Sequence, residues 1–187
     1  MKKIELMRLL ENFPKTYYRL VDFEKLTGQS GITTSKTIER MIADNLLIRL
    51  SKDVYVRGDR EFNLIKIAQE LYSSYLSLES SLYQAGVINQ PPFVTTLVSQ
   101  KHSKKIKLGK MECEYSQLSA DLWWGFELKE GIYQAEPEKA VVDMLYLQSR
   151  GKRRFQTDEW YLSGLDKKKL DRYLKKIALD FVINRTF

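Results

Sequence analysis

A segment rich in hydroxyl groups is the first part of the sequence that could carry chemistry. Residues 75–92 read YLSLESSLYQAGVINQPP, in which four polar residues fall within five positions: Ser77, Glu79, Ser80 and Ser81. A nucleophilic serine needs a base within hydrogen-bond reach and a third group that orients the base. The only histidine, His102, lies in the lysine-rich segment QKHSKKIK. We therefore interpret the serines as the start of a helix, with Ser77 as its N-cap, and predict no catalytic residue here.

Acidic and aromatic residues form a second set of candidates. Segment 135–151, AEPEKAVVDMLYLQSRG, carries Glu136, Glu138 and Asp143. Acids at a helix start complement the exposed N–H groups, and no histidine or carboxylate with metal-ligand spacing follows, so we predict structural roles. The single cysteine cannot form an intrachain disulfide or a thiolate metal site. The sequence thus predicts no metal, no cofactor and no enzyme, while the role of the adjacent Trp123 and Trp124 stays open.

The most informative candidate is a helix in SGITTSKTIERMIADNLL. If Ile38, Met41 and Ile42 face the core, the other side presents groups that can bind phosphate or base edges. The predicted DNA-binding residues of this helix are Thr33, Thr34 and Ser35 in its N-terminal turn, followed by Lys36, Thr37 and Arg40. The forked donors of Arg40 match the two acceptors of a guanine edge, and Lys36 is expected at phosphate.

Two short β-prone runs, LLIRL and VYVRG, follow this helix and are separated by the turn-forming residues 51–53. The order of three helices and a hairpin is typical of a winged helix-turn-helix. In the hairpin Arg49, Lys52 and Arg57 are predicted to reach the DNA backbone or the minor groove. The alternative is that the same module contacts a protein.

The rest of the pattern indicates the elements that position these candidates. Helices are predicted over residues 3–13, 20–26, 61–74 and 167–178, with a further helix that has Pro137 in its first turn and Gly151 past its end. Strands are predicted over residues 93–98, 105–108, 111–117 and 125–128, with a further edge strand over 181–183. We therefore predict an α+β protein, with a winged helix-turn-helix over residues 1–60 and a mixed α/β domain over residues 61–187.

Charge points to a polyanionic or acidic partner. The formal net charge is +7. The last predicted helix, over residues 167–178, turns five cations outward: Lys168, Lys169, Arg172, Lys175 and Lys176. This face is either solvated or a second contact with DNA or an acidic partner. No apolar run approaches the ~18 residues that a membrane span needs, so no membrane contact and a cytoplasmic location are expected.

Two segments together resemble the AbiEi family, the antitoxins of abortive-infection type IV toxin-antitoxin systems. The first segment matches at Tyr75, Ser77, Glu79, Ser80, Leu82, Gly86 and Pro91. The second segment matches at Ala135, Pro137, Glu138, Lys139, Ala140 and Asp143. The chain departs from the family pattern at Ser81, where alanine is common, and at Lys52-Asp53, where an Arg-Gly pair is usual.

The resemblance implies a bacterial DNA-binding repressor that binds double-stranded DNA at repeats in its own promoter. It also implies a functional partner, a nucleotidyltransferase-like toxin, which the C-terminal domain would help to neutralise. Two other functions stay open from the residues alone: an interaction module that docks an acidic protein, and a regulator that senses a small ligand.

Overall fold

The computed structural model describes residues 3–155 and 160–177, and these residues form an α+β structure with seven α-helices and two sheets. The predicted fold class is confirmed at this level. The chain divides into two units, one of residues 1–67 with 107–110 and one of residues 68–106 with 111–187. No helix in the described ranges is long and apolar enough to cross a membrane.

The first unit contains three helices and a hairpin. Its elements are α1 (Lys3–Asn12), α2 (Leu20–Thr27), α3 (Gly31–Ala43), β1 (Leu47–Ser51) and β2 (Val54–Arg57). The two strands pair antiparallel, and Tyr18 adds an antiparallel bridge to Tyr55, with N–H donated in each direction at 2.8 and 2.9 Å. The segment before α2 is thereby fastened to the hairpin.

Apolar side chains at helical spacing build the core of this unit. Leu6 and Leu10 of α1 pack with Ile38 and Met41 of α3, and all four are buried. Three aromatic residues, Tyr18, Phe23 and Tyr55, fill the space between the helices and the hairpin with ring centroids 5.8 Å apart in both pairs. The inward face of α3 is therefore fixed by packing, which decides which of its side chains reach the surface.

The second unit is built on a six-stranded mixed sheet. Its elements are β3 (Ser74–Leu76), α5 (Glu79–Gln84), β4 (Thr95–Ser99), β5 (Lys104–Leu108), β6 (Met111–Gln117), β7 (Phe126–Lys129), β8 (Ile132–Ala135), α6 (Pro137–Ser149) and α7 (Lys167–Lys176). The strand order is β5-β6-β4-β3-β8-β7, in which β3 and β8 are parallel, as are β4 and β6. Helix α6 is buried along most of its length and belongs to the core.

The boundary between the units falls within α4 (Leu64–Leu71). This helix is shorter than the predicted span 61–74 because Asn63 caps it: its Oδ1 accepts hydrogen bonds from the N–H groups of Ile65 and Lys66 at 2.9 and 3.1 Å. Strand 111–117 is confirmed as β6, whereas the predicted strand 93–98 begins two residues later as β4. The predicted edge strand 181–183 and the end of the last predicted helix at Ala178 lie outside the described residues.

Candidate functional site

Helix α3 presents one face to solvent and one to the core. Thr34, Ile38 and Met41 are buried, whereas Thr33, Lys36 and Arg40 are exposed. This three-to-four-residue alternation is the pattern of an amphipathic helix packed on one side. The exposed side combines a hydroxyl, an ammonium and a guanidinium group, which are donors suited to phosphate oxygens and to the acceptors of base edges.

The prediction that Thr34 contacts a ligand is wrong. Its Oγ1 donates to the carbonyl oxygen of Gln29 at 3.3 Å, and the residue is buried. The helix begins at Gly31, with Ser30 in the N-cap position. Ser35 and Thr37 are half-buried, and Thr37 Oγ1 donates to the carbonyl oxygen of Thr33 at 3.0 Å.

In the hairpin, Arg49 and Lys52 are exposed. The guanidinium of Arg49 lies 5.4 Å from the centroid of the Tyr55 ring, so an aromatic face supports it on one side. Lys52 stands in the turn between β1 and β2, at the tip of the hairpin. A polyanion that bound at the hairpin could therefore contact both cations.

Arg57 does not belong to this surface, and its predicted DNA contact is wrong. Its side chain is buried, with Nε and Nη2 donating to the carboxylate of Asp59 at 2.9 and 2.6 Å, and Glu11 lies 3.6 Å from Nη2. The hydrogen bonds to Asp59 raise the pKa of Arg57 and lower that of Asp59. The residue acts as an internal ion-pair partner.

Asp53, the acidic residue of the hairpin turn, has a structural function. Its Oδ1 accepts a hydrogen bond from the N–H of Leu20 at 2.6 Å, at the first residue of α2. A carboxylate in this position satisfies an exposed helix N–H and complements the positive end of the helix dipole. Asp53 thus provides a contact between the hairpin turn and the start of α2.

Helix α3 also exposes residues that the sequence interpretation did not single out, among them one apolar and one acidic side chain. Ile32 and Glu39 both lie on the outward side of the helix. Ile32, Lys36 and Arg40 are spaced by four residues, so a helical projection from the observed start at Gly31 places them on one stripe. The spacing was available in the sequence, but an isoleucine in a helix is ordinarily assigned to the core.

No family model matches the chain, and no curated protein matches it either. The functional assignment therefore depends on the geometry of the molecule and on the two sequence motifs.

The two motifs meet in a polar cluster at the centre of the second unit. Asp143 Oδ2 accepts hydrogen bonds from Ser77 Oγ at 2.7 Å and from Tyr75 Oη at 3.0 Å. Lys139 forms an ion pair with Asp143 Oδ1 and donates to Tyr75 Oη at 3.1 Å. Tyr75 and Ser77 come from the first motif, and Lys139 and Asp143 from the second.

Burial governs the protonation of this cluster, because the side chains of Lys139 and Asp143 are both 0% exposed. Burial lowers the pKa of Lys139 and raises that of Asp143, and their mutual attraction opposes both shifts. The pKa of Tyr75 is raised well above its ordinary value, first by burial and then by the charge of Asp143. The four groups satisfy one another and hold α6 against β3.

Aromatic rings close the cluster from outside and account for the two adjacent tryptophans. Trp123 packs edge-on against Tyr75, with centroids 5.0 Å apart. The Trp124 ring lies 4.9 Å from Lys139 Nζ and 4.0 Å from Lys176 Nζ. Both tryptophans are half-buried and structural.

The structure also corrects the interpretation of Ser77. It is not the N-cap of α5, because Leu78 occupies that position with a φ of 56° and the Ser77 hydroxyl is turned to Asp143. Ser80 Oγ accepts from the N–H of Thr96 at 2.8 Å, and Ser81 Oγ donates to the carbonyl oxygen of Leu76 at 2.9 Å. The hydroxyl groups of the motif are thus used within the fold.

The cations of α7 do not all face solvent. Lys169 Nζ forms ion pairs with Glu136 at 2.9 Å and with Glu138 at 3.4 Å, so its predicted outward position is wrong. Lys175 pairs with Asp171 at 2.6 Å. Of the five cations predicted to face outward, four are exposed: Lys168, Arg172, Lys175 and Lys176.

The acids at the start of α6 make structural contacts, but with α7 and its N-cap residue, and Glu136 makes no side-chain hydrogen bond to the first N–H groups of α6. Besides pairing with Lys169, Glu136 accepts from Tyr173 Oη at 2.5 Å and Glu138 accepts from the N–H of Asp166 at 2.9 Å.

Within residues 3–155 and 160–177, no group of three or more His, Cys, Asp or Glu could hold a metal ion. Burial raises the pKa of the Cys113 thiol to about 11, so this thiol is protonated at neutral pH.

Proposed function

We propose that this chain is a DNA-binding transcriptional repressor and antitoxin of a bacterial type IV toxin-antitoxin system, similar to the AbiEi family. Its first unit acts as a winged helix-turn-helix, with α3 as the recognition helix and the β1–β2 hairpin as the wing. The observation that carries this proposal is the outward stripe of α3, where Lys36 and Arg40 are exposed while the opposite face is packed.

The positions of the cations favour DNA, which offers base edges as well as phosphates, over a polyanion that offers only negative charge. A recognition helix enters the major groove, where Arg40 offers two donors to a guanine edge and Lys36 a point charge to phosphate. Arg49 and Lys52 are on the hairpin, which in a winged helix flanks the recognition helix and meets the sugar-phosphate backbone. Glu39, on the same side of α3, disfavours indiscriminate phosphate binding and supports a preference for particular sequences.

The antitoxin part of the proposal is supported by the second unit. The two motifs of the family resemblance are far apart in the chain, yet their polar residues form one buried cluster. One packing requirement thus accounts for the presence of both motifs in this chain. The unit would counter a nucleotidyltransferase-like toxin without itself being an enzyme.

Replacing Arg40 by alanine is expected to weaken binding to the preferred DNA sequence by about 1 to 3 kcal/mol, because a two-donor contact with guanine is lost. Discrimination at that base pair should relax as well. The measurement is a gel-shift titration on the promoter of the operon. Arg8 is exposed on α1 and provides the matched control, since Arg8→Ala should bind like the parent. Equal loss in both variants would contradict the assignment of α3.

Replacing Lys36 by alanine is expected to weaken binding to all sequences alike. One phosphate contact fewer should reduce the slope of log affinity against log salt by about 1. Fluorescence anisotropy at several salt concentrations measures this slope. Lys66→Ala, which removes an exposed charge from α4, should leave the slope unchanged. An unchanged slope for Lys36→Ala would exclude the proposed phosphate contact.

A second candidate function follows from the exposed cations of α7, which would suit docking to an acidic protein. Co-purification with the product of the adjacent gene distinguishes the two functions. A complex that survives moderate salt and loses affinity when Lys168 and Arg172 are replaced favours docking. DNA binding that is weakened and less specific in Arg40→Ala favours the repressor.

A further inference from the structure

Ile32 is a feature of α3 that folding does not explain. Its side chain is 76% exposed, more than any other large hydrophobic residue in the described part of the first unit. Single exposed apolar side chains are common on proteins. Ile32, however, lies in the first turn of a helix, where a β-branched side chain lowers helix propensity and acidic groups are favoured. Neither packing nor helix formation favours isoleucine at this position.

The position of Ile32 on the helix relates it to the proposed DNA contacts. Ile32, Lys36 and Arg40 recur at every fourth residue and form one outward stripe, with Ile32 at its N-terminal end. The N-terminal residues of a recognition helix are the ones that contact base edges. In a complex with DNA, the apolar side chain of Ile32 would therefore face a base edge, next to the groups that would bind phosphate and guanine.

We propose that Ile32 is a specificity-determining residue that contacts the 5-methyl group of a thymine in the major groove. This inference rests on the proposed function, and it names one base of the DNA sequence that α3 would recognise. The thymine methyl is the one apolar group on the major-groove edges of the bases. A cytosine in the same place would turn its amino group toward Ile32 and lose a hydrogen bond to water, so the contact also selects against C·G.

The helix geometry limits where this thymine lies. Ile32 and Arg40 are eight residues apart, which corresponds to about 12 Å along the helix axis. Base pairs are spaced by about 3.4 Å. The thymine read by Ile32 is therefore within about four base pairs of the guanine read by Arg40.

The test removes the methyl group and nothing else. A duplex is first enriched by the parent protein from a random-sequence pool, and each thymine is then replaced singly by deoxyuridine. For the parent, one replacement within about four base pairs of the guanine that depends on Arg40 should weaken binding roughly three- to five-fold, the change expected for one buried methyl group. Ile32→Ala should bind the thymine and uracil duplexes equally.

Ile4 provides a matched control, because it is an isoleucine of the same unit that is 67% exposed on α1 and off the stripe. Ile4→Ala should keep the uracil effect of the parent, and both variants should keep the parent melting temperature. If no uracil replacement weakens the parent, or if Ile32→Ala retains the effect, the inference is overturned and the proposed function stands. If the parent enriches no duplex, the proposed function fails and this inference fails with it.

Discussion

Replacing Asp143 by alanine is expected to lower the free energy of unfolding of the second unit by about 3 to 5 kcal/mol. The change leaves the Lys139 ammonium buried at 0% exposure without its carboxylate partner, and the hydroxyl groups of Ser77 and Tyr75 lose the oxygen to which they donate. Lys139→Ala should have a comparable effect, because it leaves the carboxylate of Asp143 without its cation.

The double variant Lys139→Met/Asp143→Leu separates the cost of an unpaired charge from the value of the pair. Removing both charges and filling their volume with apolar groups is expected to recover most of the loss, since the desolvation of a buried ion pair offsets much of its attraction. Tyr75→Phe removes the hydrogen bond to Asp143 and the one accepted from Lys139, and is expected to cost about 1 kcal/mol for each. A double variant less stable than both single variants would show that the pair itself stabilises the unit.

Tryptophan fluorescence during urea unfolding measures these changes selectively. The chain has three tryptophans, Trp123, Trp124 and Trp160, and all lie in the second unit. Their signal reports this unit, and the DNA binding proposed for the first unit is measured separately. An Asp143→Ala variant that unfolds at the parent urea concentration would contradict the stabilising role of the cluster.

Replacing Gly58 by alanine is expected to lower the free energy of unfolding of the first unit by about 3 kcal/mol, the upper part of the usual range for overpacking. Gly58 follows β2, and its N–H donates to the carbonyl oxygen of Leu46 at 2.9 Å. A Cβ here would overlap the carbonyl oxygen of Asn45 and approach the carbonyl carbons of Asn45 and Leu46 at 3.1 and 3.4 Å. All are backbone atoms, so relief requires a shift of the connection between α3 and β1.

Gly28→Ala is the matched control in the same unit. Gly28 has a φ of 65°, and an added Cβ would meet no described atom within 4 Å, so only the left-handed conformation opposes the change, at about 1 kcal/mol. Amide hydrogen exchange in α3 and the hairpin measures both variants, while tryptophan fluorescence should stay that of the parent. Equal protection in the two variants would contradict the predicted clash. Because the clash lies between α3 and the hairpin, Gly58→Ala should also weaken DNA binding.

The elements of this protein follow largely from local sequence. The ends of α1, the proline in the first turn of α6 with the glycine past its end, and the extent of β6 were predicted within one or two residues. These features depend on interactions between residues a few positions apart, so the sequence contains the information directly. The outward positions of Lys36 and Arg40 follow from the same helical period.

The sequence by itself determined the α+β class, the order of three helices and a hairpin, and the two cations of α3. Only the tertiary structure decided which other candidates are available to a ligand. Arg57 is buried and pairs with Glu11 of α1, and Ser77 is buried and donates a hydrogen bond to Asp143, 66 residues further along. Burial and charge pairing depend on residues that meet through the fold, and a local pattern cannot specify those partners.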